Sequence, residues 1–178
     1  MHEDRQSWAV KGADITRELR GILGITDADC ELLKRVQPAA RDAAPKMVEE
    51  FYEALLSNPL TSEFITDRDR LAATLASWFA ELFCGNYDDA YANKRLAIGD
   101  VHVRIGLPIR YPLAMLAVIG KHGERLAAAH GEATVSAFRK VLALDVATFN
   151  QAYENNQLNH LAELTGSERL ARRLLSGG

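Results

Sequence analysis

The sequence predicts an all-α domain, and three observations support this fold class. Apolar residues recur at spacings of three and four along most of the 178 residues, which is the period of a helix that buries one face. No stretch alternates apolar and polar residues between turn signals, as a half-buried strand would. Three of the five prolines, Pro38, Pro59 and Pro108, lie at the edges of the apolar segments, where a proline can begin or end a helix.

Turn and capping residues place the ends of the first helices. Gly24 ends the first one, and Thr26 or Asp27 caps the second, because its side-chain oxygen can accept a backbone N–H. Pro38 is expected to close the second helix. The third ends before Pro59, because a residue that precedes proline avoids helical dihedral angles. The predicted helices in this part of the chain are 13–23, 27–38 and 39–57.

The later helices follow a short turn that runs to Phe64. Gly85 ends the first of them and Gly106 ends the second. Pro108 starts a long apolar helix, and Gly131 separates it from the last one. The predicted helices are 67–83, 88–105, 108–130 and 133–164. The tail, residues 165–178, is polar and ends in two glycines, so we predict a linker-like segment.

The composition excludes several classes of protein. A hydrophobic content of 48% with 25% charged residues is typical of a folded domain. With 21 basic and 24 acidic residues the net charge is −3, so nothing favours a nucleic-acid partner. No apolar run approaches the roughly 20 residues of a membrane-spanning helix, and residues 1–6 do not resemble a signal peptide. Two cysteines are too few for a disulfide framework, and together these features predict a cytoplasmic protein.

The chain carries no recognisable catalytic motif. Paired carboxylates, a serine elbow, a phosphate loop and a Cys–His nucleophile pair are all missing from the sequence. Four histidines fit no metal-ligand spacing and are predicted to lie on the surface: His2, His122, His130 and His160. We therefore expect no independent catalytic site.

A tyrosine and a histidine each lie within an apolar stripe. Tyr52 shares a helical face with Phe51, and His102 shares one with Ile98. A buried phenol without a hydrogen-bond partner costs about 1–3 kcal/mol. Side chains of both types are more often packed core residues than functional ones, so spacing alone leaves both interpretations open.

Thr74 lies at the edge of a third stripe, which contains Leu71, Leu75 and Trp78. A threonine in a helix most often bonds back to a carbonyl of its own helix. The position alone therefore does not separate a structural threonine from one that contacts a ligand.

The last predicted helix has two apolar faces. Phe138 and Phe149 lie on one of them, and Val141, Leu144 and Thr148 lie on the other. A helix on the surface of a single chain needs only one apolar face. We therefore predict that the second face meets another chain.

Three segments resemble the sensor-globin family, the haem domains of bacterial globin-coupled sensors. Residues 98–108 (IGDVHVRIGLP) resemble the proximal motif of that family. Residues 51–59 (FYEALLSNP) and 71–78 (LAATLASW) are similar to its two distal helices. The resemblance covers about residues 13–160 and implies a globin-like fold with an extra N-terminal helix, haem b as cofactor and oxygen sensing.

The resemblance also implies an assembly. The last two long helices would form the interface of a homodimer. Residues 1–164 would be the sensor globin domain, and the tail over 165–178 would lead towards an output domain such as a diguanylate cyclase. The chain itself would be a sensor domain and not an enzyme.

The resemblance assigns roles to particular residues. His102 matches the proximal iron ligand, and Tyr52 matches the distal tyrosine that hydrogen-bonds oxygen. Leu71 matches a distal apolar gate, and Thr74 matches a position at which some members carry a ligand-contacting threonine. Many members have a Trp-Tyr pair where this chain has residues 111–112 (Tyr-Pro), so a tyrosine contact to the proximal imidazole is not carried over.

Apolar and basic neighbours complete the expected haem site. Phe51, Leu75 and Ile98 would form walls for the apolar porphyrin. Its propionates would favour cationic neighbours, and three basic residues flank the proximal segment: Lys94, Arg95 and Arg104. We interpret each of these as a solvated charge, with pairing to a propionate as the alternative.

The sequence thus predicts a haem-based sensor of oxygen and other diatomic gases, CO and NO included. Reversible binding at the iron would bias a helical dimer. One alternative is a haem-free globin-fold module for dimerisation or signalling. A second is a haem protein with nitric oxide dioxygenase chemistry, which would need a reductase partner. A helical bundle that binds another apolar ligand is a third.

Overall fold

Eight helices make up the part of the chain that the computed structural model describes, residues 9–65 and 67–177. No strand occurs in these residues, and the predicted all-α class is confirmed. Five predicted helices agree with α1, α4, α5, α6 and α7 within two residues at each end. In chain order the helices are α1 (Gly12–Leu23), α2 (Asp27–Leu56), α3 (Pro59–Ser62), α4 (Arg68–Glu81), α5 (Asp89–Arg104), α6 (Arg110–Ala128), α7 (Glu132–Thr165) and α8 (Glu168–Leu175).

Local capping accounts for several of these helix starts. The Thr26 side chain accepts a hydrogen bond from the Asp29 backbone, and the Asp29 carboxylate accepts one from Thr26 N at 2.8 Å. This reciprocal capping box satisfies two N–H groups that the helix itself leaves unpaired. Asp67 and Asp88 cap α4 and α5 in the simpler way, each by accepting one backbone N–H.

Helix α2 is continuous through Pro38 and Pro45, so the prediction that Pro38 closes a helix is wrong. A proline inside a helix removes one hydrogen bond and costs about 3 kcal/mol. The segment nevertheless buries Val36, Ala40 and Met47 completely. Burial of such side chains on both sides of the prolines offsets the cost and keeps one helix where local signals favour two.

Helix α7 lies at the centre of the fold. It packs against α1, α2, α5, α6 and α8. Val141, Leu144 and Thr148 are each at most 2% exposed within the single chain. The prediction that this face of α7 meets another chain is therefore wrong, because neighbouring helices of the same chain already cover it.

The tail predicted as linker-like contains α8. Gly166 adopts a left-handed conformation that ends α7, and the Ser167 side chain then caps α8 by accepting from Leu170 N at 3.3 Å. Ala171 is fully buried, because α8 folds back against α7. The segment predicted as linker-like thus contains a helix, and the sequence signal for its start is the Ser167 cap.

His122 is also corrected, because it is buried and not on the surface. Its Nε2 atom lies 2.8 Å from a carboxylate oxygen of Glu50, and Lys121 Nζ lies 2.6 Å from the other oxygen. These contacts tie α6 to α2. Of the other histidines predicted to be at the surface, His130 and His160 are exposed as predicted, and His2 lies outside the described residues.

Glu50 should make folding stability depend on pH. Hydrogen bonds from Lys121 and His122 lower the pKa of Glu50 from its ordinary 4.5 to about 2. A carboxyl with a lowered pKa stabilises the fold above its ordinary pKa, and this stabilisation is lost as pH falls through the folded-state pKa. Glu50→Gln should therefore be less stable than the wild type at pH 7, and the difference should close between about pH 4.5 and pH 2.

Urea denaturation at a series of pH values measures this difference. Glu49→Gln is the matched control, because Glu49 is the exposed neighbour of Glu50 on the same helix. A stability difference for Glu50→Gln that stays constant from pH 7 to pH 2 would show that the ion pair is not its origin.

Candidate functional site

A cavity with mostly apolar walls lies between α2, α4, α5, α6 and α7. Mostly apolar walls that carry a few polar groups are typical of cofactor and small-molecule sites. The structure brings all seven predicted site residues together on the walls of this cavity: Phe51, Tyr52, Leu71, Thr74, Leu75, Ile98 and His102.

His102 projects from the last turns of α5 with one ring nitrogen engaged. Its Nδ1 atom is 2.7 Å from the carbonyl oxygen of Ile98. Because a carbonyl can only accept, Nδ1 carries the proton and Nε2 has a free lone pair. No hydrogen bond to Nε2 is found in residues 9–65 and 67–177. Burial lowers the pKa of His102, so the ring stays neutral, as a metal ligand must be.

Tyr52 is a buried side chain whose hydroxyl has no hydrogen-bond partner among the residues that the structure describes. It is 4% exposed, and its ring packs edge to face on Phe51 with 5.6 Å between the ring centres. Within the described part of the chain, the Tyr52 hydroxyl makes no hydrogen bond. Burial raises the pKa of Tyr52, so the hydroxyl keeps its proton. The cavity wall therefore offers one free O–H donor.

Three residues of α4 form another wall of the cavity. Leu71 and Leu75 are half-buried there, and Thr74 is exposed. The Thr74 hydroxyl donates to the carbonyl of Arg70 at 3.0 Å, the bond that a helical threonine usually makes. Its oxygen can still accept a hydrogen bond, but in this rotamer its proton is committed.

The Tyr111 hydroxyl does not hydrogen-bond to the His102 imidazole among the described residues. Its hydroxyl accepts from the Arg110 guanidinium at 3.3 Å, and no hydrogen bond among the described residues joins it to His102. The aromatic neighbour of the imidazole is instead Phe149, at 5.1 Å between ring centres. Phe149 belongs to α7 and also lines the cavity.

A buried ion pair at the cavity wall was not predicted. Arg95 is 2% exposed and Asp145 is 4% exposed, and Arg95 Nε lies 2.8 Å from Asp145 Oδ2. Arg95 Nη1 donates a hydrogen bond to Glu81 at 2.9 Å, and the Tyr91 hydroxyl donates to Asp145. Burial raises the pKa of Asp145, although Arg95 favours its carboxylate form.

This cluster corrects the interpretation of Arg95 as a solvated charge. Lys94, by contrast, is 57% exposed and pairs with Glu81, and Arg104 is exposed. One sequence signal could have indicated the buried pair. Arg95 lies seven residues before His102, on the same helical face, and Asp145 is a lone carboxylate inside an apolar stretch of α7.

Among the described residues, the cavity wall presents a metal with one free imidazole nitrogen. No group of three or more His, Cys, Asp or Glu side chains able to hold a metal ion is found in the described residues. His102 alone presents a free ring nitrogen on the wall. The donor set therefore suits a metal that arrives inside an organic cofactor and takes one imidazole from the protein.

A search of the described residues for a membrane-spanning helix finds none with the required length and apolar character.

The site thus combines an imidazole and a phenol on the walls of one apolar cavity in a helical fold, an arrangement that a globin-like domain has. The chain belongs to the Protoglobin family, whose model matches residues 13–159. The resemblance to sensor globins is thereby confirmed.

Two relatives support this assignment. The chain is 31% identical over 145 residues to the heme-based aerotactic transducer HemAT of Halobacterium salinarum, a match that covers 72% of this chain and 29% of the transducer. It also matches the solved globin domain of the Geobacter sulfurreducens globin-coupled sensor, with a TM-score of 0.72 and 27% identity. That match covers 77% of this chain and 96% of the solved one, and it confirms the predicted globin-like fold.

Proposed function

We propose that this domain binds haem b, iron protoporphyrin IX, in the α2–α7 cavity and senses dioxygen through it. The observation that carries the proposal is the His102 side chain, which is neutral, held by the Ile98 carbonyl and free at Nε2 on an apolar wall. This is the arrangement expected of a proximal haem ligand, whose second nitrogen is normally fixed by a backbone carbonyl or carboxylate.

The remaining walls of the cavity fit the same group. A porphyrin is a large apolar plate, and Phe51, Leu71, Leu75 and Ile98 supply apolar surface for it. Two of the proteins that this chain is similar to are named a heme-based transducer and the globin domain of a sensor.

Each polar residue then has a defined task. When bound, haem supplies a ferrous iron that binds diatomic gases reversibly and leaves partial negative charge on dioxygen but little on carbon monoxide. His102 would hold the iron through Nε2. The Tyr52 hydroxyl would donate to the charged diatomic, a bond worth about 1.5–3 kcal/mol when one partner is charged. The same donor would gain little from carbon monoxide and so would favour dioxygen.

The signalling role and the assembly are further parts of the proposal. The proposed domain division is 1–164 for the sensor globin and 165–178 for the connection to an output domain. The homodimer is proposed through the last two long helices, α6 and α7. Near the end of the chain α7 and α8 also expose apolar surface: Leu164, Leu170, Leu174 and Leu175 are 44–70% exposed. Signalling and not catalysis is the proposed role of this chain, and a cytoplasmic location stays a prediction.

Absorption spectra of the purified chain test the proposed function. The chain is reconstituted with hemin, reduced with dithionite, and then exposed to carbon monoxide or, after removal of the reductant, to air. We expect a five-coordinate ferrous spectrum that changes with each gas. A preparation that remains colourless after reconstitution would exclude haem binding and leave a haem-free module.

A further inference from the structure

Helices α5 and α7 meet along one line of contacts beside the cavity. Three residues of α5 and three of α7 make these contacts. Within each set the positions are separated by four and then three residues, so each set lies on one face of its helix. We call these six residues the α5–α7 seam. It consists of Arg95, Gly99 and His102 on α5 and Asp145, Phe149 and Ala152 on α7.

The middle of the seam brings the two backbones close together. A Cβ atom at Gly99 would lie 2.5 Å from the Cβ of Ala152 and 3.1 Å from the carbonyl oxygen of Phe149. Real Cβ atoms essentially never approach as closely as 2.5 Å. Any side chain at position 99 would therefore push α7 away from the helix that carries His102.

At one end of the seam Phe149 packs against the imidazole. The two rings are edge to face, with 5.1 Å between centres and an angle of 78° between planes. Phe149 is backed by Tyr153 at 5.4 Å, and the Tyr153 hydroxyl donates to the carbonyl of Leu107 at 2.9 Å. The contact with Tyr153 therefore limits the movement of the Phe149 ring.

Two contacts therefore restrain the imidazole in different ways. The Nδ1–H···O=C bond to Ile98 sets which nitrogen carries the proton. That bond lies within α5 and moves with it. Phe149 belongs to another helix, so it limits the rotation and tilt of the ring relative to the rest of the cavity.

We propose that Phe149 is a positioning residue for the imidazole of His102, and that the Gly99–Ala152 contact and the Arg95–Asp145 pair keep α7 close enough for it to act. This inference rests on the proposed function, since it assigns Phe149 a role towards the haem iron. Residues around a metal ligand that fix its orientation change metal affinity by about 10–100-fold when they are removed.

Resonance Raman spectroscopy of the deoxygenated ferrous protein tests the proposal, because the iron–imidazole stretching frequency reports ring orientation. Phe149→Leu keeps an apolar side chain but removes the aromatic edge. We expect it to shift this frequency from the wild-type value and to speed haem transfer to excess apomyoglobin by about tenfold or more.

Gly99→Ala tests the close approach separately, and the chain offers a rescue and a control. Gly99→Ala alone should shift the same frequency, and Gly99→Ala with Ala152→Gly should restore it by moving the methyl group from one helix to the other. Gly120→Ala on α6 is the control, because a Cβ there would meet only Leu142, at 3.9 Å.

The outcomes are distinct. If Phe149→Leu retains haem with the wild-type iron–imidazole frequency and transfer rate, the positioning role is overturned, whether or not Gly99→Ala folds. If Gly99→Ala does not fold, as judged by circular dichroism, the measurements on Phe149→Leu alone decide whether the positioning role is correct. A wild-type chain that takes up no haem contradicts the proposed function itself, and the carbon monoxide difference spectrum shows this before any variant is made.

Discussion

Replacement of His102 by alanine should abolish stable haem retention or leave only weakly held haem. The wild-type chain offers a single free imidazole nitrogen on the cavity wall among its described residues. No cluster of other ligating side chains in that part of the chain could substitute for it. Without it the porphyrin would be held by apolar contacts alone. Gel filtration after hemin reconstitution, with the Soret absorbance of the protein peak as readout, measures the loss.

His130→Ala is the matched control for this variant. His130 is exposed at the end of α6, so its removal should leave the haem content unchanged. If His102→Ala instead shows the normal five-coordinate ferrous spectrum of the wild type, the assignment of His102 as iron ligand is wrong.

Tyr52→Phe should release dioxygen at least about tenfold faster than the wild type. The substitution removes only the hydroxyl, and a lost hydrogen bond of about 1.4 kcal/mol corresponds to a factor of ten. Because the Tyr52 hydroxyl has no partner among the described residues, its removal breaks no bond in the ligand-free protein. Stopped-flow displacement of dioxygen by carbon monoxide measures the rate.

Two controls accompany the Tyr52 variant. Carbon monoxide release should change by less than about threefold, because this ligand carries little charge for a donor to stabilise. Tyr111→Phe should leave dioxygen release unchanged, since the Tyr111 hydroxyl is bonded to Arg110. An unaltered dioxygen release rate in Tyr52→Phe would remove Tyr52 from the distal role.

Local signals predicted most of the fold, and they failed where distant packing decides. Thr26, Asp67 and Asp88 begin helices through contacts with residues a few positions along the chain, so the sequence alone reveals them. Pro38 violates its local preference because residues from other helices bury the segment around it. The second apolar face of α7 was misinterpreted for the same reason, since periodicity shows that a face is apolar but not which chain covers it.

The residues of the candidate site likewise divide into those that local sequence signals predicted and those that they did not. His102 and Tyr52 were predicted because their polar groups interrupt apolar stripes within motifs that resemble a known family. Their roles in binding remain proposals. Arg95 and Asp145 were missed as a pair because they are 50 positions apart: the pattern around each can indicate a buried charge but not which residue it meets. Spacing cannot show that a basic residue on α5 finds its counter-charge on α7.

The central position of α7 has a consequence for communication within the domain. A helix enclosed by α1, α2, α5 and α6 cannot shift independently, because close-packed interiors transmit strain and do not absorb it. A rearrangement in the cavity that displaces α7 would therefore redistribute packing over most of the globule at once. By thermodynamic reciprocity, any partner that favours one placement of α7 would also alter the affinity of the cavity for its ligand.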